Sequence, residues 1–171
     1  MLVTNLQSAI DKLEIQEVCA TYAFTYDSGD IEGWLACFTE DLTWELRIPV
    51  RDEPVHAVNG RQALLDMVTA NIPELEKQYA DVLAVQGSFH TMGGMVFDEL
   101  TQTTAKTRTM CFPILQSFQD DGRELDLTNW HSILKAEVLF AGIYHNWYRK
   151  VDGEWKISKK VYYASAGPLK D

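Results

Sequence analysis

Two periodicities, in a fixed order, set the strongest limit on how this chain can fold. From Leu6 to Tyr26 the apolar residues Leu6, Ile10, Leu13, Val18, Cys19, Tyr22 and Tyr26 recur at three- and four-residue intervals, the mark of an amphipathic helix. From Gln86 onward the pattern becomes β-rich, with strands predicted near 87–98, 104–118, 133–150 and 154–164. Asp152-Gly153 lies between two aromatic strands and has the chemistry of a tight hairpin loop. Helices followed by a run of long antiparallel strands predict an α+β domain in which a curved sheet wraps around the helices.

The connecting stretch carries finer signals. The first helix should stop at Ser28-Gly29, after which Asp30 can accept from the free amides of a short second helix running through Trp34 to Phe38. In LTWELRI, Leu42, Trp44, Leu46 and Ile48 point one way and Thr43, Glu45 and Arg47 the other, as in a strand with one wet face. Asn59-Gly60 opens a third helix from Arg61 to about Asn71, which Pro73 must interrupt or kink.

With 171 residues and 46% hydrophobic content, the chain fits a single domain, 1–171, able to bury a core and a cavity. A net charge of −10 would repel phosphate backbones, and the basic residues near Arg149–Lys160 read as the solvated face of a hairpin, so nucleic acid is not an expected partner. The start MLVTNLQSAIDKLE lacks the basic flank and apolar run of a secretory signal, and no stretch is long enough to span a bilayer. A soluble, cytoplasmic protein is expected. Cys19, Cys37 and Cys111 are far apart within apolar segments, which suits reduced core thiols rather than a disulfide framework or a zinc site.

Cofactor signatures are missing: there is no Walker loop, no GxGxxG, no GxSxG elbow and no HExxH. Catalysis without a cofactor or metal would rest on ordinary side chains. Of the four histidines, His56 reads as a loop residue, His131 follows Trp130 at a strand entrance, and His145 faces away from its neighbours Tyr144 and Asn146. His90 differs, because Gly93-Gly94 in SFHTMGG allow a bulge that turns a sheet into a cup. Asp27, in TYDSGD, puts a charge near the end of an apolar helix, either as a solvated helix-end carboxylate or as a charge set into a pocket. If the two meet, the carboxylate fixes the imidazole tautomer and leaves the other nitrogen free to take a proton, with an ordinary histidine pKa of ~6.5. Periodicity carries no information on whether they do.

TYDSGD at the end of the first helix, HTMGG on an early strand and NWYRKVDGEWKIS across the last hairpin resemble the scytalone dehydratase and SnoaL-like branch of the nuclear transport factor 2-like superfamily. The resemblance runs from about Leu13 to Tyr162, with poor agreement over 50–82 and 119–132. It implies a cone, a strongly curved mixed sheet closed by the N-terminal helices around an apolar cavity lined by Tyr26, Asp27 and His90. A dehydrochlorinase of the same fold pairs an aspartate and a histidine at the matching positions to abstract a proton. There are departures too. Ile114 stands where the dehydratase has a second catalytic histidine, Leu46 where it has a second tyrosine, and Tyr144 where it has an asparagine. These argue against scytalone as the substrate. A basic residue of the dehydrochlorinase aligns with Lys160.

The same parity places Trp44, Leu46, Ile48, Met110, Phe112, Ile114, Tyr144 and Asn146 toward the cavity, and Cys111 away from it. Tyr144 and Asn146 are the better ligand-orienting candidates, because buried hydroxyl and amide groups need partners. Tyr26 would donate to a carbonyl or a developing oxyanion. The resulting expectation is a lyase or isomerase, most simply a dehydratase, acting on a small apolar oxygenated molecule of polyketide or terpenoid type. A cyclase, a non-catalytic ligand-binding protein and a pure oligomerisation domain are the alternatives. The resemblance also implies a homo-oligomer assembled through the outer face of the sheet.

Overall fold

The computed structural model describes residues 6–70, 82–119, 134–138 and 141–165. The element order is α1 (Leu6–Ser28), α2 (Ile31–Ala36), β1 (Phe38–Arg47), β2 (His56–Asn59), α3 (Arg61–Ala70), β3 (Val82–Leu100), β4 (Thr104–Gln119), β5 (Leu134–Val138), β6 (Ala141–Val151) and β7 (Glu154–Ser165). The strands form one mixed sheet in the order β2-β1-β7-β6-β4-β3, with β5 also paired to β4. Among the described residues only β1 and β7 run parallel, and the other pairs are antiparallel. The architecture is therefore α+β, a curved and unclosed sheet against which α1 packs through β3 and β7.

Local chemistry explains the joints. Gly29, with φ +75°, takes the left-handed conformation that ends α1. Asp30 then caps α2 by accepting from the Gly33 amide at 2.9 Å. Asp152 and Gly153 both have positive φ, at 51° and 88°, as a two-residue hairpin loop with primed geometry requires. Gly94, at φ +58°, sits in the register shift between Gly93 and Val96, where β3 bends against β4.

Three readings of the sequence need correction. The segment 133–150 is two strands, β5 and β6, which pair with successive stretches of β4: Ile114–Phe118 with β5 and Thr104–Cys111 with β6. His56 is not in a loop; it opens β2, opposite Leu46, a strand too short to show a period. The first strand begins at Phe38, so the second helix stops earlier than the apolar run suggested. The stretch around Pro73, and His131, lie outside the described residues. Among the described residues no helix is long and apolar enough to cross a membrane.

The core lies between α1, α2 and the concave face of the sheet. Ile15, Trp34, Phe38, Leu42, Leu64, Tyr148 and Ile157 are buried there. Gly142 belongs to this face for a steric reason, since a Cβ at that position would overlap the Tyr162 ring and the Tyr163 carbonyl.

One polar contact anchors the helix to the last hairpin. Asp11, 3% exposed, accepts from Lys150 Nζ at 2.7 Å, Trp155 Nε1 at 3.1 Å and Gln7 Nε2 at 3.3 Å. Burial alone would raise its pKa, but these bonds more than offset burial and hold the carboxyl below its usual range. Asp11→Ala would strand the Trp155 N–H, and we expect a loss of about 1–3 kcal/mol in urea unfolding at neutral pH. Because the folded pKa is depressed, the Asp11 contribution is present above the ordinary carboxylate range and disappears as pH falls through the folded value. The wild type and variant should therefore converge in acid.

Candidate active site

His90 lies on β3, the last strand in the sheet order, so among the described residues backbone N–H groups on its outer edge have no strand partner. Asp27, at the end of α1, occupies that edge. Its Oδ2 accepts the His90 backbone N–H at 2.6 Å, and its Oδ1 lies 2.6 Å from His90 Nδ1. The two side chains are 11% and 10% exposed respectively. An ionised carboxylate only accepts, so a neutral imidazole facing it carries its proton on Nδ1 and leaves Nε2 as the acceptor. The helix-end aspartate and the strand histidine thus form one hydrogen-bonded unit.

Aromatic rings fix the other sides of the imidazole. Tyr26 meets it edge-on, with centroids 5.1 Å apart and planes at 88°, and Tyr22 does so at 6.3 Å and 74°. Trp34 backs Tyr26 at 5.3 Å. Burial, and then the neighbouring Asp27 charge, raise the Tyr26 pKa, so the phenol stays protonated and able to donate.

Strand register aligns the remaining inward residues in rows. Trp44, Lys160, Asn146 and Thr107 form one row, and Leu46, Tyr162, Tyr144 and Thr109 the next. Tyr144, Asn146 and Lys160 are fully or almost fully buried, while Trp44 and Leu46 are half-buried. Lys160 Nζ lies 3.3 Å from the Tyr144 ring centroid and 4.1 Å from that of Tyr22. It donates to Asn146 Oδ1 at 3.3 Å, and Asn146 Nδ2 donates to the Tyr148 hydroxyl at 3.2 Å. Dehydration brings the Lys160 pKa down to about 7.

Met110, Phe112 and Ile114 do not line this face. Thr107, Thr109, Cys111 and Pro113 are buried, whereas Met110 is 47% and Phe112 37% exposed. Ile114 shares the outward register of Phe89 and Val138, both exposed. The segment MCFPI is apolar at every position, so alternation there cannot say which side faces in. Cys111 therefore points inward, contrary to its sequence parity, and burial pushes its thiol pKa up, away from a thiolate nucleophile. Ile48 lies just past the end of β1. His145 faces outward against Tyr163, with centroids 4.8 Å apart.

Tyr22, which touches His90, Lys160 and Tyr144, was not singled out from sequence. The signal was available: Tyr22 and Tyr26 are four residues apart and so share a helix face. A separate cleft of about 390 Å³ opens between α1, α2 and the β6–β7 turn, lined by residues such as Glu14, Glu17, Cys37 and Trp155 but by neither Asp27 nor His90. Among the described residues no three His, Cys, Asp or Glu side chains are placed to hold a metal ion.

The Lys160 geometry makes a stability prediction. With a folded pKa near 7 against an ordinary 10.5, the unfolded chain binds the proton more readily between those values. Stability from this group is present above the unfolded pKa and is lost as pH falls toward 7. Lys160→Met should therefore be more stable than wild type by about 1–4 kcal/mol near pH 6.5, with the gap closing toward pH 10. Urea midpoints at the two pH values measure this, and an equal gap at both would contradict it.

Comparison with known proteins places the chain among proteins of this architecture. Rv3472, a protein of unknown function from Mycobacterium tuberculosis, is 23% identical with a TM-score of 0.66, over 92% of this chain and 73% of that one. A candidate scytalone dehydratase from Novosphingobium aromaticivorans is 18% identical with a TM-score of 0.64, over 92% and 86%. The beta subunit of the benzoate 1,2-dioxygenase from Burkholderia mallei is 16% identical with a TM-score of 0.63, over 100% and 97%. Among curated proteins none matches. The model of the SnoaL-like domain matches residues 7–161, and the chain belongs to that family.

Proposed function

We propose that the protein is a cofactor-independent lyase or isomerase in which His90, held by Asp27, removes a proton next to a carbonyl of a small, largely apolar, oxygenated substrate. The observation that carries this reading is the double grip of Asp27 on the His90 backbone N–H and ring Nδ1. That grip selects the tautomer with a basic Nε2 and stabilises the imidazolium formed when the proton is taken. Tyr26, protonated and beside the ring, supplies a donor to the enolate oxygen or to a leaving hydroxyl.

Once the proton is removed, loss of a β-hydroxyl completes a dehydration, return of the proton elsewhere an isomerisation, and attack by the carbanion within the substrate a cyclisation. Dehydratase-type elimination is the simplest course, since it needs only a base and a hydrogen-bond donor at the leaving oxygen. Half-buried Trp44 and Leu46, packed against the core beside Tyr144, would give such a substrate an apolar surface to rest on.

The test is deuterium exchange and elimination across a panel of small apolar β-hydroxy ketones. His90→Ala should lower the rate by about 10²–10⁴-fold. Asp27→Asn should have a comparable effect, because its amide donates to Nδ1 and shifts the ring proton to Nε2. Rates unchanged in both variants would overturn the assignment, and background rates in every form would leave a ligand-binding protein.

The outward residues of β4 fit a second part of the proposal, self-association through the convex face of the sheet. Met110, Ile143 and Tyr163 are neighbours in register across β4, β6 and β7, and each is 39–47% exposed. Phe112 extends this patch along β4, and its apolar area would be covered by a second copy of the chain. Met110→Lys combined with Ile143→Lys should shift the protein to a smaller species in light scattering at unchanged helix content. Identical masses would exclude this face as the contact.

A further inference from the structure

Helix α1 is apolar on two sides, and only one of them reaches the core. Asp11, Ile15, Cys19, Tyr22, Ala23 and Thr25 are buried. Leu6, Ile10 and Leu13, which open the apolar period of the sequence, are instead 78%, 38% and 65% exposed, and Phe24 is 76% exposed. Glu17 and Ala20, which lie between Leu13 and Phe24, are exposed as well. At 3.6 residues per turn these six outer positions fall within an arc of about 80°, centred opposite the buried face. Their spacing alternates strictly between four and three residues from Leu6 to Phe24, the seven-residue repeat of a helix that packs along another helix. Side chains of this size carry roughly 200 Å² each, so the four large ones leave about 500 Å² of apolar surface open per copy. A symmetric pair would cover about 1,000 Å² before its flanks are counted, the size at which specific interfaces begin.

We propose that α1 packs antiparallel on α1 of a second copy of this chain, about a two-fold axis that crosses the helix between Leu13 and Glu17. A two-fold contact has to be self-complementary, with residue i meeting j while j meets i. The outer stripe satisfies this condition: Leu6 meets Phe24 of the second copy, Ile10 meets Ala20 and Leu13 meets Glu17, each layer being repeated on the other side of the axis. Branched Ile10 thereby faces the smallest residue of the run. Charge decides the direction. A parallel pair would set Glu17 against its own copy in the middle of the seam, whereas the antiparallel pair lays each Glu17 stem along a leucine, so the single polar position specifies the register. Glu17 also lines the cleft of about 390 Å³ beside α1, which leaves its carboxylate room to stay hydrated at the border of the seam.

The stripe is shorter than the three or four heptads that free helices need to hold together. Here α1 is already formed by packing on β3 and β7, so no backbone ordering opposes the contact. The stripe faces away from the sheet, on the side opposite Met110, Ile143 and Tyr163, and the two surfaces can therefore be tested apart.

The test is sedimentation equilibrium on the full chain carrying Met110→Lys and Ile143→Lys, so that the outer face of the sheet contributes nothing. Self-association should persist in that background. Leu13→Glu brings two carboxylates together in each central layer and should raise the dissociation constant by about 10-fold or more, and adding Glu17→Lys should restore it. Leu13 is exposed, so helix content by circular dichroism should stay constant. Oxidation of the otherwise native chain reports the direction. Leu13→Cys mixed with Glu17→Cys should give the mixed disulfide and neither variant its own homodimer, the native Cys19, Cys37 and Cys111 being buried. Homodimers in place of the mixed species would indicate parallel helices and overturn the antiparallel contact. A monomer in the sheet-face background, or a dimer indifferent to Leu13→Glu, would overturn the proposal as a whole.

Discussion

The carboxylate of Asp27 joins the last turn of α1 to the free edge of β3, and the concave face is organised around that joint. Two oxygens in one rigid group meet two donors on one residue, so the helix end, the strand edge and the imidazole orientation are specified together. An unpartnered edge N–H is ordinarily a liability in a sheet. Here it is the donor that positions the histidine, and sheet termination and site geometry are the same interaction. Gly29 is required immediately afterwards, because the chain must turn away from the sheet within two residues of the carboxylate.

Around this joint the interior is more polar than its burial would suggest. Asn146, Thr107 and Lys160 are each 0% exposed, where aliphatic residues would pack without desolvation cost. The Asn146 amide partly compensates by linking Lys160 to Tyr148, and the tyrosine faces supply cation–π contact. Such contacts reduce the cost of the amine without cancelling it, as its depressed pKa shows. A fold selected for stability alone would have little reason to retain this arrangement.

What could be read from the sequence follows the range of the physics involved. The Asp30 cap and the Asp152-Gly153 loop depend on residues a few positions apart, and each was visible directly. Trp44 and Leu46 were placed inward correctly because polar Thr43, Glu45 and Arg47 mark the other face. The same reasoning failed at Met110, Phe112 and Ile114, where Cys111 and Pro113 give no polar contrast and the inner face of β4 carries threonines instead. Four-residue β2 lacked the length to show a period. The meeting of Asp27 and His90 was out of reach of periodicity altogether and entered only through resemblance, since contacts between distant segments depend on the whole topology.

That topology also explains why the two faces of the sheet have such different characters. On the outer side, Glu45 is bonded by Arg47 and Lys159, and Lys106 and Lys159 both lie over the Trp147 ring, so the charges beside the apolar patch are already engaged within the sheet. Engaged charges need less water, which lowers the cost of covering their surroundings. On the inner side, among the described residues, phenols and an amide rather than carboxylates surround Lys160. A sheet one residue thick thus separates an exposed face with apolar and engaged charged residues from a polar buried face, and strand alternation alone assigns each side chain to one or the other. A one-residue slip in the β4–β6 register would exchange Thr109 and Cys111 for Met110, placing a thioether beside Tyr144 and a hydroxyl and a thiol on the outer patch. The steric fit of Gly142 under the Tyr162 ring fixes the neighbouring β6–β7 register in the same way, because any other β6 residue brought to that position would carry a Cβ into the ring.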